Sequence, residues 1–453
     1  MLSDVALSKL SQIVSTTLVN PSNTNLEKAL VPGISTDSRT MAPGEVFVAL
    51  RGENFDGHNF FNQAVAMGAM ALIVEKAHDS LSVPQLVVGD TLYAYQQIAR
   101  WWRDRFQIPV IAVTGSVGKT TTKELIAAVL GTQGQVLKTV ANYNNEIGVP
   151  KTLLDLTPDH DYGVIEMAMR APGEIALLTE IARPTIGVIT NVGTAHIGRL
   201  GSREAIAAAK CELLANMPPS GVAVLNGSDP LLLQTAAEFW QGETVTYGLE
   251  TGDISGKLID STTLRVERRD FPLPLPGRHN ALNYLAAIAV AKIIGVDLAP
   301  LTQKLAVNLP AGRAQCYLLA EDVIILDETY NAGYESMIAA LHLLAETPGK
   351  RHIAILGTMK ELGDHSRQLH RQVGETARDI NLERLLILIE NEEAKAIAEG
   401  ATGLIVECFN NKKDLSSRLT ALVQPGDRIL FKASHSVGLN QVVQQLLAHF
   451  SHC

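Results

Sequence analysis

From Val110 onward, short apolar runs alternate with longer amphipathic stretches. VIAVTG, QVLKTV, YGVIEMAM, TIGVITNVG and GVAVLN read as strands, and the segments between them carry the helical period. That alternation predicts a mainly parallel sheet covered by helices on both faces. A more strand-like patch, GKLIDSTTLRVERRDFPLPLPG, closes this region before an alanine-rich helix that starts near His279. The opening residues differ. Short β-like pieces (VFVAL, ALIVE, QLVVG) lie among turns and end in a Trp/Arg-rich helix, YQQIARWWRDRF, with Ile108-Pro109 as a natural joint. Beyond LPAGRAQ, a linker-like segment at 309 to 315, come VIILDETY, HIAILGTM, LLILIE, LIVECF and RILFKAS, each followed by a helical stretch. The pattern predicts an α/β protein of three domains: a small α/β N-terminal domain over 1–107, a central mainly parallel-sheet domain over 108–311 and a Rossmann-like C-terminal domain over 312–453.

Composition agrees with this size. The chain has 453 residues, 46% hydrophobic and 19% charged, enough for several sizeable cores. Its 47 acidic and 38 basic residues give a net charge of -9, which argues against a nucleic acid backbone as main partner but leaves small anionic substrates open. Cys211, Cys316, Cys408 and Cys453 are widely spaced, so neither a zinc site nor a disulfide framework is indicated and a reducing cytoplasm fits best. MLSDVALSKLSQIV has no signal-peptide pattern. The most apolar later window, Ala281 to Val296, is shorter than a bilayer requires and contains Asn283 and Lys292, so it reads as a buried helix and no membrane span is expected.

The chemistry begins at VIAVTGSVGKTTTKELIAAVL, an apolar strand, a glycine turn and a helix. The phosphate-binding pattern G-x-x-x-x-G-K-[ST] would put its first glycine at position 113, which is Val113, so this loop is compact. A helix starting near Lys119 still offers free N–H groups and a positive dipole end to an anion. Lys119 adds a full charge, and the hydroxyl of Thr120 or Thr121 can ligate Mg²⁺. NKKD at 411 to 414 and DISG at 253 imitate GTPase motifs, but both should lie in one nucleotide domain with the loop, whereas Asn411 falls in the other α/β domain, and chance explains them better. Glu166 ends an apolar strand, a usual place for a carboxylate that holds Mg²⁺, the bland alternative being a surface glutamate. His196, in TNVGTAHIGRLGS, is by itself an ordinary loop histidine. Lys210 is more informative, because in SREAIAAAKCELLANM it falls between Ile206 and Leu213 on the inward stripe. Either its stem packs while the ammonium reaches water, or its charge has been used or removed chemically.

Taken together, TGSVGKTTTKE, NYNNEIGVP, EMAMRAPGEI, AHIGRLGS with AAAKCELL, GRHNALNYLAA, AGR and DETYNAGYESM resemble the Mur ligase family, which includes folylpolyglutamate synthetase. The likeness runs in order along nearly the whole chain, and the family's phosphate loop has this same compact T-G-x-x-G-K-T form. The resemblance implies an ATP-dependent ligase that forms an amide bond through an acyl phosphate. Gly115, Ser116, Val117, Gly118, Lys119, Thr120 and Thr121 would form the ATP phosphate site. Thr120 and Glu166 would hold one Mg²⁺, and His196 a second that Lys210, carbamylated by CO₂, would support. Asn283 and Asp327 would contact the nucleoside, and Arg313 would reach the terminal phosphate. Asp37, Ser38 and Arg39 would face the nucleotide of a UDP-N-acetylmuramoyl-tripeptide donor, their plainer reading being a turn stabilised by Asp and Ser. Asn331 and Ala332 would line a site for D-alanyl-D-alanine, the acceptor. A monomer is expected.

Departures from the family pattern gather in the third domain. Gly333-Tyr334 follows YNA where Asn-Pro is more usual, Thr358 stands where aspartate is frequent, and KASHSVGLN carries His435 and Asn440 in place of Arg and Glu. The sister ligase that adds a diamino acid to the UDP-muramoyl dipeptide typically carries D-N-P-R in this domain, and the tetrapeptide is absent. A nucleotide-dependent switch stays open as a reading from another class. A Rossmann dehydrogenase is disfavoured because the Gly115 loop lacks G-x-G-x-x-G and the acidic partner that should follow.

Overall fold

In the computed structural model, residues 4–19, 28–52 and 54–451 are described. Cys453 and the first three residues of the N-terminal segment lie outside them. Three sheets follow one another along the chain. The first has five strands in the order Leu18–Val19, Gln85–Val87, Ala71–Val74, Val46–Val48, Ile34–Ser35, parallel except at the Leu18 edge.

The central sheet has nine strands. Its parallel part runs Ile254–Asp260, Glu243–Leu249, Val222–Asn226, Ile186–Ile189, Val110–Thr114, Tyr162–Glu166, Val136–Lys138, and the antiparallel strands Thr263–Val266 and Arg269–Pro272 extend the first edge. Successive residues of one strand serve opposite cores. Ile111 and Val113 pack with Val164, Val188 and Val224 beneath the helices Lys119–Leu130 and Arg278–Ile294. Val110 and Ala112 turn to the core that also holds Ile165, Ile189, Ile206 and Leu213. These side chains are fully buried, each contributing roughly 1.5–3 kcal/mol if large and apolar. Burial on both faces is why these strands read as continuous apolar runs rather than as alternation.

The helix Arg203–Ala215 starts at Ser202, whose hydroxyl accepts from the Ala205 N–H. It packs against both Glu174–Ala182 and Pro230–Phe239, so Lys210 finds no route along the helix surface to water and is only 1% exposed. The third sheet runs Gln315–Leu318, Ile324–Asp327, Asp427–Lys432, Arg351–Leu356, Arg384–Leu388, Val406–Phe409, parallel but for its first strand. That antiparallel edge strand was not apparent as a strand in the sequence, where it adjoins the linker. The GTPase-like fragments have local structural explanations. Asn411 caps the helix Lys412–Leu422 by accepting from the Asp414 N–H, and Asp253 accepts from the Thr246 N–H and hydroxyl.

One buried histidine ties the third sheet to its helices. His370, fully buried on the helix Ser366–Asp379, accepts the Met359 N–H at Nε2 and donates from Nδ1 to the Ser366 carbonyl, which fixes the neutral tautomer. Burial holds its pKa below the usual 6.5, against the opposing pull of the Ser366 carbonyl and Glu393. The unfolded chain therefore takes up a proton that the folded chain excludes. This stability is complete above the ordinary histidine pKa and is lost as pH falls below it, by up to about 1.4 kcal/mol per pH unit. Thermal unfolding followed between about pH 7 and pH 5 should fall accordingly, and His370→Gln, which keeps an acceptor for Met359, should flatten the dependence.

Candidate active site

The parallel strand Val110–Thr114 delivers the chain into a turn that only glycine permits at two points. Gly115 has φ +150°, and a Cβ there would lie 1.9 Å from Thr190 Oγ1; Gly118 has φ +83°, and a Cβ there would lie 2.8 Å from Asn283 Oδ1. The neighbouring strand, Ile186–Ile189, runs on into residues that brace the turn. Thr190 Oγ1 and Asn191 Nδ2 donate to the Val117 carbonyl at 2.6 and 2.9 Å, Asn191 Oδ1 accepts from the Val117 N–H at 3.0 Å, and Ser116 Oγ accepts from the Gly193 N–H at 2.8 Å. No side chain caps the helix at Gly118, so its first N–H groups are left for an anion. Lys119 folds its ammonium back onto the Gly115 carbonyl at 2.8 Å. Burial lowers its pKa, with Glu166 opposing and Arg313 adding repulsion.

Glu166 closes its strand with the carboxylate buried. Asn144 Nδ2 donates to Oε1 at 2.8 Å, whereas Oε2 has no hydrogen-bond partner among the described residues; its nearest cation, Lys123, stands at 3.8 Å. An orphaned buried acceptor suits a divalent cation, and Thr120, buried in the first helical turn, adds a hydroxyl. Among the described residues no three His, Cys, Asp or Glu side chains form a ready metal cage. A cation here would take most of its ligands from nucleotide oxygens and water, the habit of Mg²⁺.

Lys210 is buried without a hydrogen-bond or ion-pair partner among the described residues. Its pKa lies well below the ordinary lysine value, first through burial and then through repulsion from Lys119, which places it in the electrostatic reach of the loop. His196 is held otherwise. It adopts left-handed φ +67°, and Nδ1 lies 2.7 Å from Glu361 Oε2, off the hydrogen-bonding line. Glu361 lies in a loop of the third domain, and Glu335 in the first turn of the helix Tyr334–Glu346, where its carboxylate accepts from the Thr194 N–H at 2.7 Å. With Gly198 donating to the Glu361 carbonyl, the third domain closes directly on residues 193–200.

Other residues singled out in the sequence are placed as follows. Arg313 lays its guanidinium 4.1 Å from the Tyr330 ring centroid, with Nε buried and without a hydrogen-bond partner among the described residues. Asp327, at its strand end, accepts from the Thr329 N–H and hydroxyl, and burial raises its pKa. Asn331 is exposed beside buried Ala332, and its carbonyl accepts from Lys432 Nζ at 3.0 Å. Asp37 and Arg39 are paired with each other, and Ser38 donates to Gln63. The pair holds the Asp37 carboxyl down at about 2. Thr190, Asn191, Lys123, Tyr330, Glu335 and Glu361 were missed. Lys123 carried a signal, standing one turn after Lys119 on the same helix; the others depend on contacts between distant segments.

A compact phosphate loop backed by a buried carboxylate, inside a chain of three α/β units, defines a nucleotide-using enzyme of several domains. Residues 12–99 match the Mur ligase family, catalytic domain; residues 113–291 the Mur ligase middle domain; residues 312–435 the Mur ligase, glutamate ligase domain. The chain is 56% identical to the UDP-N-acetylmuramoyl-tripeptide--D-alanyl-D-alanine ligase of Synechocystis over 94% of both chains, and 38% identical to that of Escherichia coli over 98% of both. Its fold matches MurF from Acinetobacter baumannii with a TM-score of 0.89, at 32% identity over 98% of both chains. It also matches MurF ligase from Thermotoga maritima in complex with ADP, with a TM-score of 0.84, at 30% identity over 93% of this chain and 98% of that one. The chain belongs to the Mur ligase family of ATP-dependent, ADP-forming amide ligases.

Replacing Gly115 by Ala forces a methyl group into Thr190 at the base of the loop. ADP binding measured by calorimetry should weaken about tenfold or more, or ~1.4 kcal/mol, with the fold retained by circular dichroism.

Proposed function

We propose that the protein joins D-alanyl-D-alanine to UDP-N-acetylmuramoyl-tripeptide at the expense of ATP, a step of peptidoglycan precursor synthesis in the cytoplasm. The observation that carries the chemistry is the braced anion cradle at Gly115–Thr121 with the unpartnered Glu166 oxygen beside it. The substrate pair rests on similarity across nearly the whole chain to ligases bearing that name. The free state of Cys211, Cys316 and Cys408 supports the reducing compartment. We assign residues 1–107 to the donor, 108–311 to ATP and 312–453 to the acceptor, in a chain that acts as a monomer.

The terminal carboxylate of the tripeptide attacks the γ-phosphorus of ATP, giving an acyl phosphate and ADP; the acceptor amine then attacks the acyl carbon, and phosphate leaves from a tetrahedral intermediate. The first barrier is the approach of two anions. Lys119 and the free N–H groups of its helix offset the charge on the transferring group. Arg313, oriented by the Tyr330 ring, brings a further cation from the third domain, and domain closure keeps water from the acyl phosphate. Asn283, lying against Gly118, and Asp327 border the nucleoside. Asp37, Ser38 and Arg39 face the uridine nucleotide, and Asn331 and Ala332 the dipeptide.

Two Mg²⁺ ions, one held by Thr120 and Glu166 and one by His196 with a carbamate on Lys210, would supply charge neutralisation and orientation of phosphate oxygens. In that role His196 parts from Glu361. The carbamate forms from a neutral amine and CO₂ with release of one proton, and the buried, unpaired Lys210 favours the neutral amine.

Phosphate release from ATP with Mg²⁺ should require both UDP-N-acetylmuramoyl-tripeptide and D-alanyl-D-alanine. Brisk hydrolysis with neither present would favour a nucleotide switch, and turnover only with a free diamino acid and the dipeptide donor would favour the sister ligase. Lys210→Ala should lower kcat by about two orders of magnitude, and added short carboxylic acids should partly restore it. Full activity of this variant without them would remove the carbamate from the reading.

A further inference from the structure

We propose that Lys123 is the positioning residue that sets the Glu166 carboxylate and keeps its Oε2 free for the divalent cation, an inference that rests on reading Glu166 as a metal ligand. Lys119 and Lys123 lie one turn apart on the same helix but are used in opposite ways. Lys119 turns back to the loop, whereas Lys123 runs inward and is completely buried.

The Lys123 ammonium donates to the Thr139 carbonyl at 2.7 Å, lies 2.9 Å from Glu124 Oε1 and stands 3.8 Å from Glu166 Oε2. Thr139 is gripped from both ends, because its hydroxyl accepts from the Glu166 N–H at 2.9 Å and its own N–H donates to the Val164 carbonyl at 3.0 Å. Lys123 therefore acts on Glu166 by two routes. It fixes the backbone of Glu166 through Thr139, and it attracts the carboxylate across a gap too long for a hydrogen bond. Asn144 occupies Oε1, so the carboxylate is held at one oxygen while the other keeps its lone pairs. Glu124 also pairs with Lys138, so two cations and two carboxylates balance within the network.

Stability alone does not account for this arrangement. A whole buried charge network is commonly replaced by apolar side chains of like volume with no loss of stability, although removing one partner alone is costly, so packing here could have been met by an apolar residue at 123 together with apolar partners. What it could not do is orient a charged ligand without binding to the oxygen that the cation needs.

The test uses Mn²⁺ in place of Mg²⁺, with binding to the protein–ADP complex read by electron paramagnetic resonance, alongside ADP affinity in EDTA and the melting temperature. Lys123→Met should weaken Mn²⁺ binding about tenfold while ADP affinity in EDTA stays at the wild-type value. Lys123→Gln, which retains a donor for Thr139 but no charge, is the second variant should the first not fold, and it should show the same direction of change. Unchanged Mn²⁺ affinity in either folded variant overturns the inference, including the case in which only the melting temperature falls, the mark of a purely structural lysine. Glu166→Gln in the same assay separates the two readings. Weakened Mn²⁺ binding in Glu166→Gln with none in Lys123→Met overturns the role of Lys123 alone, and no effect of Glu166→Gln removes the metal-ligand reading and this inference with it.

Discussion

The structure depends on the clamp that Thr190 and Asn191 place on Val117. A compact glycine turn has little internal hydrogen bonding, and the N–H groups at the start of the helix that follows it must stay available to an anion. Rigidity therefore has to come from outside the turn. The adjacent parallel strand, paired with Val110–Thr114 through Ile186–Ile189, brings a hydroxyl and a side-chain amide to the Val117 peptide from below, and Ser116 closes the arrangement by accepting from Gly193. Glycine at 115 follows from the same contact, because the bracing threonine occupies the space a side chain would need. A site preorganised in this way stabilises charge without reorganising at the moment of reaction.

Around that loop the protein handles buried charge in three ways. Lys123 is compensated by a carbonyl and two carboxylates. Glu166 is compensated at one oxygen and left open at the other. Lys210 has no hydrogen-bond or ion-pair partner among the described residues, and burial pushes its pKa well down. Full pairing fixes geometry, half pairing leaves an open acceptor, and burial without pairing favours the neutral form of an amine. Three polar side chains in neighbouring cores thus acquire different chemistry from their surroundings alone.

The third domain reaches the same centre through side chains whose partners lie far away in the chain. Glu335 and Glu361 seize the 193–200 segment, and the backbones of Gly198 and Gly363 approach so closely that a Cβ on Gly198 would lie 2.5 Å from the Gly363 nitrogen. Arg313 and Tyr330 add a stacked cation on the same side. His196 is drawn to Glu361 by this contact, so the position of the third domain decides whether its imidazole is available to anything else.

Much of this was legible in the sequence, because it follows from local rules. Apolar runs with helical segments between them point to parallel strands covered on both faces, a glycine turn followed by Lys119 and threonines points to an anion-binding helix start, and the position of Lys210 on an apolar stripe points it inward. Strand-end placement of Glu166 is equally local. Tertiary structure alone decided that Thr190 and Asn191 brace the loop, that Lys123 turns inward while Lys119 does not, and that Glu361 pairs with His196. Each of these joins segments far apart in the chain, and periodicity records which face a side chain occupies but not which partner the opposing element brings to it.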